Sequence, residues 1–451
     1  MNSGLFWVIA TYGSLVGIRV IGNLILTRLL HPEMFGTIAL VNAVILGINM
    51  FADVGVRDAV INSHRHQDKN FVNTAWTLSV IRGFIVFAVV LILAYPFEIL
   101  LGVEGIWPVI AVSGLSLIAY SCMSTKVFSA ERDIDLKMIS LLEIGAQFIG
   151  MIIMIGLAWW WQSVWALAVG TIITTSILMS SYMFLLPGPR NKFHWDKDAV
   201  WEVFKLGRWI LISTAGTFLV LQGDRFVARY FTSVELLGIY SIAIALSSMV
   251  IEAAEKVGKK LLYPKYRRVV AEGGELDGVT KKMRFFGVVG SVLICLPVVG
   301  FGDWLVQLLY DPRYDAAGWM LQLLIVASMY RAMDSTLKPV FIANNDSFTG
   351  MIYEFGKGIT YIIAMIIGGI YAGLVGIILA IVVSPMVNQV VLTFYVRKYG
   401  IRTTLFDIAL MIGAGACVAL MWWAVDFNPF AVENPVFVPE LSAPDAQHLA
   451  H

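Results

Sequence analysis

The chain has 451 residues, of which 59% are hydrophobic and only 14% are charged, and its formal net charge is +1. A soluble domain carries about 25% charged residues, so this composition excludes an ordinary soluble protein. Apolar runs of about 20 residues recur along the chain, and each is long enough to cross the ~30 Å hydrocarbon layer of a bilayer as a helix. We therefore predict an all-α polytopic membrane protein.

Thirteen membrane-spanning helices are predicted in chain order. Their ranges are 5–29, 35–60, 74–97, 106–127, 137–160, 163–186, 206–230, 236–262, 284–309, 316–341, 349–370, 373–396 and 404–425. The N-terminus lacks a basic region and no small-residue cleavage site follows the first apolar run, so we expect a retained span and not a signal peptide. The thirteenth span carries Asp407 in its first turn.

Basic residues are distributed unevenly between the two ends of these spans. The connections and helix ends on the even-numbered side hold 25 of the 32 Lys and Arg residues, whereas the odd-side turns hold Arg28, Arg229 and Arg313. Cytoplasmic loops carry the excess of Lys and Arg in membrane proteins, so we expect the N-terminus in the cytoplasm. The basic loop at 259–268 then faces anionic membrane lipids, and no nucleic-acid partner is predicted.

An internal repeat relates the two halves of the chain. EMFGTIAL at 33–40 aligns with ELLGIYSI at 235–242 at a shift of 202, which places Gly36 on Gly238. Six spans per half is an even number, so both halves run in the same direction and are related by a pseudo-two-fold axis along the membrane normal. Parallel repeats of this kind occur in secondary transporters, with the substrate site between the halves.

The repeat predicts how the chain divides into units. A proline-rich tail without helical period follows the last span, and such a composition predicts disorder. The expected units are an N-terminal six-helix bundle at 1–190, a C-terminal six-helix bundle at 191–400, an extra transmembrane helix at 401–426 and a disordered tail at 427–451.

Polar side chains follow one face of several spans. At about 100° per residue, Arg19 shares a stripe of the first helix with Tyr12, Asn23 and Thr27. Arginine near the middle of a span costs about 2.5–3.5 kcal/mol even on forgiving insertion scales, and no acid lies within one turn of Arg19 on its own helix. We therefore predict a partner on another helix or on a ligand. The candidate cavity residues are Tyr12, Arg19, Asn23, Asn49, Gln222 and Arg225.

Three further pairs of charged residues have helical spacing. Two pairs are four residues apart near cytoplasmic helix ends, at matching positions of the repeat, and the third pair is three residues apart. Such spacing puts both side chains on one helical face, so each pair is either an intrahelical ion pair or part of a gate or ion-coupling site. The pairs are Asp53–Arg57, Glu255–Lys259 and Arg331–Asp334.

No cofactor or metal site is predicted. The three cysteines, Cys122, Cys295 and Cys417, lie far apart in apolar segments, where cysteine behaves as a small buried hydrophobe. No G-x-x-x-x-G-K-[ST] motif occurs, so the chain alone is not an ATP-driven pump with a P-loop.

Several segments, in their order and spacing, resemble the Wzx-type lipid-linked oligosaccharide flippases, a polysaccharide-export branch of the multidrug/oligosaccharidyl-lipid/polysaccharide exporter superfamily. Together the segments cover roughly residues 10–400. They are RVIGN…RLLHPEMFG across the first two spans, ADVGV at the end of the second, ERDIDLKM after the fourth, GDRFVARYFTSVELLGIYSIA across the seventh and eighth, and LLYDPRYDAAGWML between the ninth and tenth.

The resemblance implies two six-helix bundles around a central cavity that opens alternately to each side. The implied substrate is an oligosaccharide on a polyprenyl-pyrophosphate carrier, flipped to the outer leaflet of a bacterial inner membrane for O-antigen, capsule or exopolysaccharide assembly, with contact to polysaccharide polymerase machinery as a further implied interaction.

Arg19 in RVIG matches a cavity arginine of the related lipid II flippases. Those relatives carry further arginines one turn later, where this chain has Asn23-Leu24-Ile25, so Arg225 is the candidate to complete the cluster. The family also often has fourteen spans, against the thirteen predicted here.

Two other functions are open to the sequence. A multidrug/cation antiporter of the same superfamily would need unpaired carboxylates in the cavity, whereas the first and seventh helices are basic in character. A polytopic glycosyltransferase or polysaccharide polymerase would need a large outer catalytic loop, and the longest outer turn, 302–318, is too short for one. We therefore expect a transporter and not an enzyme.

Overall fold

The structure is a computed structural model, and it describes residues 2–52, 56–57, 60, 65, 68–132, 137–257, 262–344 and 346–427. All regular elements in these ranges are helical. The α-helices are α1 Asn2–Leu29, α2 Pro32–Phe51, α3 Lys69–Leu101, α4 Ile106–Ser113, α5 Leu115–Ser121, α6 Lys126–Arg132, α7 Lys137–Trp161, α8 Val164–Phe184, α9 Lys197–Phe231, α10 Val234–Val257, α11 Tyr263–Ala271, α12 Leu276–Leu309, α13 Ala317–Ala343, α14 Ser347–Val396 and α15 Thr404–Ala424.

The described residues of the thirteen predicted spans lie largely in helices. Within the described ranges, nine helical stretches are long and apolar enough to cross a bilayer, and one of them contains both the eleventh and the twelfth predicted spans. The three remaining spans lie on the short consecutive helices α4 and α5 and on the more polar helices α9 and α13. The prediction of an all-α polytopic membrane protein is therefore confirmed.

Helix α14 contains a sharp reversal of chain direction. Ala372 (φ −143°, ψ 24°) and Gly373 (φ 53°, ψ −136°) are not helical and separate two long arms. A positive φ is readily adopted by glycine because glycine has no Cβ. Beside the reversal, a Cβ on Gly368 would collide with the Gly376 carbonyl, and one on Gly376 with the Gly368 carbonyl. The small residues let the two arms touch directly after a turn of two residues.

The helices pack in two groups that follow the two halves of the chain. In the first group α7 packs on α1 and α8, and α3 packs on α4 and α5. In the second group α13 packs on α10, α12 and α14, and α9 packs on α14. The main contacts between the groups are those of α2 with α9 and α10 and of α3 with α9. For brevity these groups are called the first and the second bundle.

The closest approach between the bundles is the crossing of α2 and α10. A Cβ on Gly36 would collide with the carbonyl of Val234, and a Cβ on Gly238 with the carbonyl of Pro32. Glycine permits this because small residues let helix backbones approach closely. The two glycines are 202 residues apart, which is the shift of the predicted internal repeat.

The thirteenth predicted span forms α15, which packs on α12 and α14. Its Asp407 is buried and pairs with the fully buried Arg284 of α12. The Thr403 hydroxyl also donates to Asp407 over 2.7 Å. Phe427, after the helix, packs against Trp422. The predicted disordered tail otherwise lies outside the described residues.

Candidate functional site

Arg19 of α1 meets an acid from the second bundle. Its Nη2 lies 3.1 Å from Oε2 of Glu252 on α10, and the two side chains are 43% and 39% exposed. The sequence predicted that a partner for Arg19 would come from another helix or a ligand, and the structure places that partner on α10. The contact joins the two bundles on the side of the molecule where α1 begins and α10 ends.

Two more side chains complete this contact. The Tyr12 hydroxyl donates to the carbonyl of Met249 over 2.6 Å, and the Lys256 ammonium lies 3.8 Å from the centroid of the Tyr12 ring, a favourable cation–π distance. We call Tyr12, Arg19, Glu252 and Lys256 the α1–α10 cluster. Elsewhere in the first bundle, Glu143 of α7 accepts from the Tyr182 hydroxyl over 3.0 Å.

The other predicted polar residues of α1 and α2, Asn23, Thr27 and Asn49, do not belong to the α1–α10 cluster. Asn23 is half-buried. Thr27 is fully buried and donates to the carbonyl of Leu24 on its own helix over 3.2 Å, so the polar stripe does not reach it. Asn49 accepts from Nη2 of Arg82 over 2.6 Å. This hydrogen bond joins α2 to α3 within the first bundle.

Helix α9 brings polar groups into the second bundle. Within the described residues, Oε1 of Gln222 and Nε of Arg225 are buried without a hydrogen-bond partner. The neighbouring Asp224 is buried and accepts from the Tyr240 hydroxyl over 3.0 Å. Buried polar groups are normally hydrogen-bonded, so these two atoms are exceptions to the general pattern.

Arg331 and Asp334 do not turn towards each other, although their spacing would permit an intrahelical pair. The Arg331 guanidinium lies over the Tyr361 ring, 4.9 Å from its centroid. Asp334 forms a buried ion pair with Lys357 at 2.7 Å and accepts from the Tyr353 hydroxyl over 3.3 Å. The cause is tertiary: α14 supplies Asp334 with an ammonium ion closer than its neighbour on α13.

These pairs belong to a buried ionic network in the second bundle. In its hydrogen-bonding orientation, the Gln389 amide donates to Oδ1 of Asp334 over 2.7 Å and accepts from Nη2 of Arg284 over 2.6 Å. Lys338 pairs with Glu354 at 2.7 Å. Three basic residues of the second bundle, Arg284, Lys338 and Lys357, form ion pairs. The structure places all three within helices, with acidic partners on other helices or helix arms.

The predicted gate pairs are only partly within the described residues. Asp53 and Lys259 lie outside them. Arg57 is exposed, and Glu255 is half-buried in the last turn of α10. The two i,i+4 pairs therefore stay predictions.

The opposite end of the molecule is held by bonds to the main chain. The Tyr314 hydroxyl donates to the Leu30 carbonyl over 3.2 Å, and Nη2 of Arg313 donates to the Thr27 carbonyl over 3.3 Å. Arg229 donates to the Gly102 carbonyl over 2.8 Å. Together with the crossing of α2 and α10, these bonds close the bundles tightly at that end. At the α1–α10 cluster the bundles are joined through half-exposed side chains.

Comparisons of sequence connect the chain to proteins of polysaccharide assembly. Residues 25–318 match the profile of a family described as "Polysaccharide biosynthesis protein". The lipopolysaccharide biosynthesis protein WzxC of Escherichia coli (strain K12) is 18% identical over 400 residues, which are 88% of this chain and 80% of WzxC. The amylovoran biosynthesis protein AmsL of Erwinia amylovora is 22% identical over 209 residues, 46% of this chain and 50% of AmsL.

Solved structures share the fold over almost the whole chain. The lipid II flippase MurJ, in an inward closed conformation, superposes with a TM-score of 0.60 at 14% identity, covering 94% of this chain and 98% of MurJ. The inward-facing conformation of a multidrug resistance MATE family transporter of the MOP superfamily gives a TM-score of 0.57 at 13% identity, covering 90% and 95%. At such identities the likeness establishes the fold.

Proposed function

The chain belongs to the polysaccharide biosynthesis protein family, and we propose that it is a flippase for a lipid-linked oligosaccharide. It moves an oligosaccharide on a polyprenyl-pyrophosphate carrier from the cytoplasmic to the outer leaflet of a bacterial inner membrane, for assembly of a surface polysaccharide. A relative named for lipopolysaccharide biosynthesis and the fold shared with a lipid II flippase support this function. The protein is a multi-pass transporter and not an enzyme.

The observation that carries the proposal is the position of Arg19. It lies nine residues into the apolar stretch Ala10–Leu29, which is about 14 Å at 1.5 Å per residue, close to the middle of a ~30 Å hydrocarbon layer. A half-exposed guanidinium at that depth requires water or an anion. Guanidinium forms two parallel, charge-assisted bonds to phosphate oxygens, so Arg19 suits the pyrophosphate linkage of the carrier.

Further polar groups suit the glycan. The amides of Asn23, Asn49 and Gln222 offer donors and acceptors for sugar hydroxyls, and Arg225 is the candidate second guanidinium. Transport follows from rocking of two six-helix bundles, 1–190 and 191–400, about a pseudo-two-fold axis, a relation that the reciprocal contact of Gly36 and Gly238 supports. The uneven distribution of basic residues supports a cytoplasmic N-terminus. The α1–α10 cluster is then on the cytoplasmic side, and the product reaches polymerase machinery on the outer side.

A multidrug or cation antiporter has the same fold but would need acids available to an organic cation. Asp334 is buried and paired with Lys357, whereas Arg225 has a buried guanidinium nitrogen without a hydrogen-bond partner among the described residues. The charges described here therefore favour an anionic substrate.

The test is transport by the purified protein in liposomes. A polyprenyl-pyrophosphate oligosaccharide with a fluorescent label on the glycan is placed in both leaflets, and an impermeant reductant bleaches the outer leaflet. With the active protein the fraction bleached should exceed the half observed in protein-free liposomes. Bleaching that stays at one half, together with proton- or sodium-driven uptake of an organic cation, would favour the antiporter instead.

A further inference from the structure

We propose that Glu252 is a resident counter-anion for Arg19, and that the pyrophosphate of an incoming substrate displaces it and so releases the bundles from each other on the cytoplasmic side. This inference rests on the proposed function and deepens it, because it names the group with which the substrate competes. It makes Glu252 a positioning residue that holds Arg19 in the resting protein.

The Arg19–Glu252 bond is of a kind that an anion can exchange. It is a single contact of 3.1 Å between side chains that are both about two-fifths exposed. Exposed ion pairs of this kind contribute little net stability. A diphosphate offers more charge than one carboxylate and can engage both Nη groups of a guanidinium. The substrate therefore competes on favourable terms for the same atoms.

Displacement of Glu252 acts on the whole contact between α1 and α10. Met249, Glu252 and Lys256 are three and four residues apart, so they share one face of α10. The same face receives the Tyr12 hydroxyl at the Met249 carbonyl and holds Lys256 over the Tyr12 ring. Moving Glu252 away from Arg19 leaves two cations, Arg19 and Lys256, facing the space that the pyrophosphate enters.

The charges of the α1–α10 cluster determine which ligands can displace Glu252. Arg19 is paired with Glu252, so its charge is compensated in the resting protein. A neutral polyprenol or a neutral glycan brings no charge to exchange for Glu252 and leaves the contact in place. An anion with two or more charges replaces the carboxylate and keeps the guanidinium satisfied. Opening is thereby coupled to the pyrophosphate linkage of the substrate.

The test is a distance measurement between the bundles. Nitroxide labels are attached to Asn70→Cys at the start of α3 and Gly278→Cys at the start of α12, both exposed and away from the cluster; nothing lies within 4 Å of a Cβ at Gly278. The labelled protein lacks the native cysteines Cys122, Cys295 and Cys417. Double electron–electron resonance then reports the separation of the bundles in purified full-length protein.

Undecaprenyl pyrophosphate should lengthen the distance, inorganic pyrophosphate should do so at higher concentration, and undecaprenol should not. Glu252→Gln should lengthen the distance without ligand and bind pyrophosphate about fivefold more tightly, the factor that corresponds to an exposed ion pair. Glu235→Gln, a matched change in the first turn of α10, should alter neither quantity. The double variant Arg19→Glu/Glu252→Arg should restore the short distance without ligand, because the ion pair is re-formed with its ends exchanged.

Binding of undecaprenyl pyrophosphate to the unsubstituted protein without any change in distance would overturn the inference and leave the proposed function standing. Absence of binding in that protein, measured by calorimetry, would count against both. An unchanged distance in Glu252→Gln would also overturn the inference. The ligand response of the unsubstituted protein does not depend on any substitution at Glu252, so a variant that misfolds does not remove the test.

Discussion

Two arginines of α1, nine residues apart, have different surroundings. Arg28 lies exposed in the last turn of the helix, where a cation interacts favourably with the helix carbonyls. Arg19 lies at mid-span against Glu252. These surroundings favour Arg19 over Arg28 for the proposed contact with the substrate.

Replacing Arg19 should separate these roles. Arg19→Ala should lower the rate of flipping about 10- to 150-fold, since a hydrogen bond to a charged group contributes about 1.5–3 kcal/mol, while membrane insertion remains normal. Arg28→Ala on the same helix should transport at close to the normal rate. Initial rates in the liposome assay, at matched protein amounts, provide the measurement. Normal flipping by Arg19→Ala would remove Arg19 from the substrate site.

At the level of single residues, the sequence predicted only those features that depend on the periodicity of one helix. The stripe through Tyr12 and Arg19 follows from helical periodicity, and the lack of a local acid predicted a distant partner. Glu252 could not be identified, because 233 residues separate it from Arg19 and several acids had suitable faces. For the same reason the spacing of Arg331 and Asp334 was misleading: it describes one helix, and Lys357 comes from another.

At the scale of helices, α15 is attached to the second bundle by a buried charge pair. Asp407 looked like a defect in an apolar span, yet it meets Arg284, which also donates to the Thr336 hydroxyl over 2.8 Å. Hydropathy located both spans. Their pairing could not be read from the sequence because 123 residues separate the two side chains. The pair explains why α15 begins with an acid.

Breaking that pair should destabilise the protein strongly. Arg284→Ala leaves Asp407 buried without its cation and should lower the free energy of unfolding by about 3–5 kcal/mol. Lys281→Ala, one turn earlier on α12, breaks a partly exposed pair with Asp277 and should cost less than about 1 kcal/mol. Thermal unfolding in detergent compares the two. Equal losses of stability in the two variants would show that the buried pair contributes no more than the exposed one. The double variant Arg284→Met/Asp407→Leu should be more stable than Arg284→Ala, because it leaves no buried charge unpaired.

The contribution of Asp346, at the start of α14, to the stability of the protein should depend on pH. Bonds from Lys398, the Thr349 amide and the Tyr399 hydroxyl hold the pKa of Asp346 well below its ordinary value. A carboxyl group with a lowered pKa stabilises the fold above its unfolded pKa of about 3.9, and this contribution is lost as the pH falls through the folded pKa. Asp346→Asn should therefore melt at a lower temperature than the unsubstituted protein at pH 7. The difference should shrink as the pH is lowered below about 4, and a constant difference would contradict the assignment.

At the scale of the whole molecule, the two ends of the interface between the bundles differ in the kind of contact that joins them. Backbone contacts at Gly36 and Gly238 close one end, and half-exposed side chains join the other. The recurrence of long apolar segments was evident in the sequence. Which end is tightly closed was not, because alternative conformations of a transporter differ by only a few kcal/mol and share one sequence pattern.

A methyl group at the crossing should impair the tight closure. Gly36→Ala places a Cβ against the Val234 carbonyl, so the bundles must separate at that end and the rate of flipping should fall. Gly17→Ala makes the same change on α1 where nothing lies within 4 Å, and it should transport normally. Both rates come from the liposome assay, with thermal unfolding as a check on folding. Equal rates for the two variants would show that the crossing does not limit transport.

The two-residue reversal in α14 also has a consequence for biogenesis. Its arms are joined at Ala372 and Gly373 without a polar loop, and they touch through Gly368 and Gly376. Only two residues connect the arms, so one arm cannot span the bilayer while the other remains in the aqueous phase. The two arms must therefore leave the translocon together as a preformed hairpin, already paired when they first meet lipid.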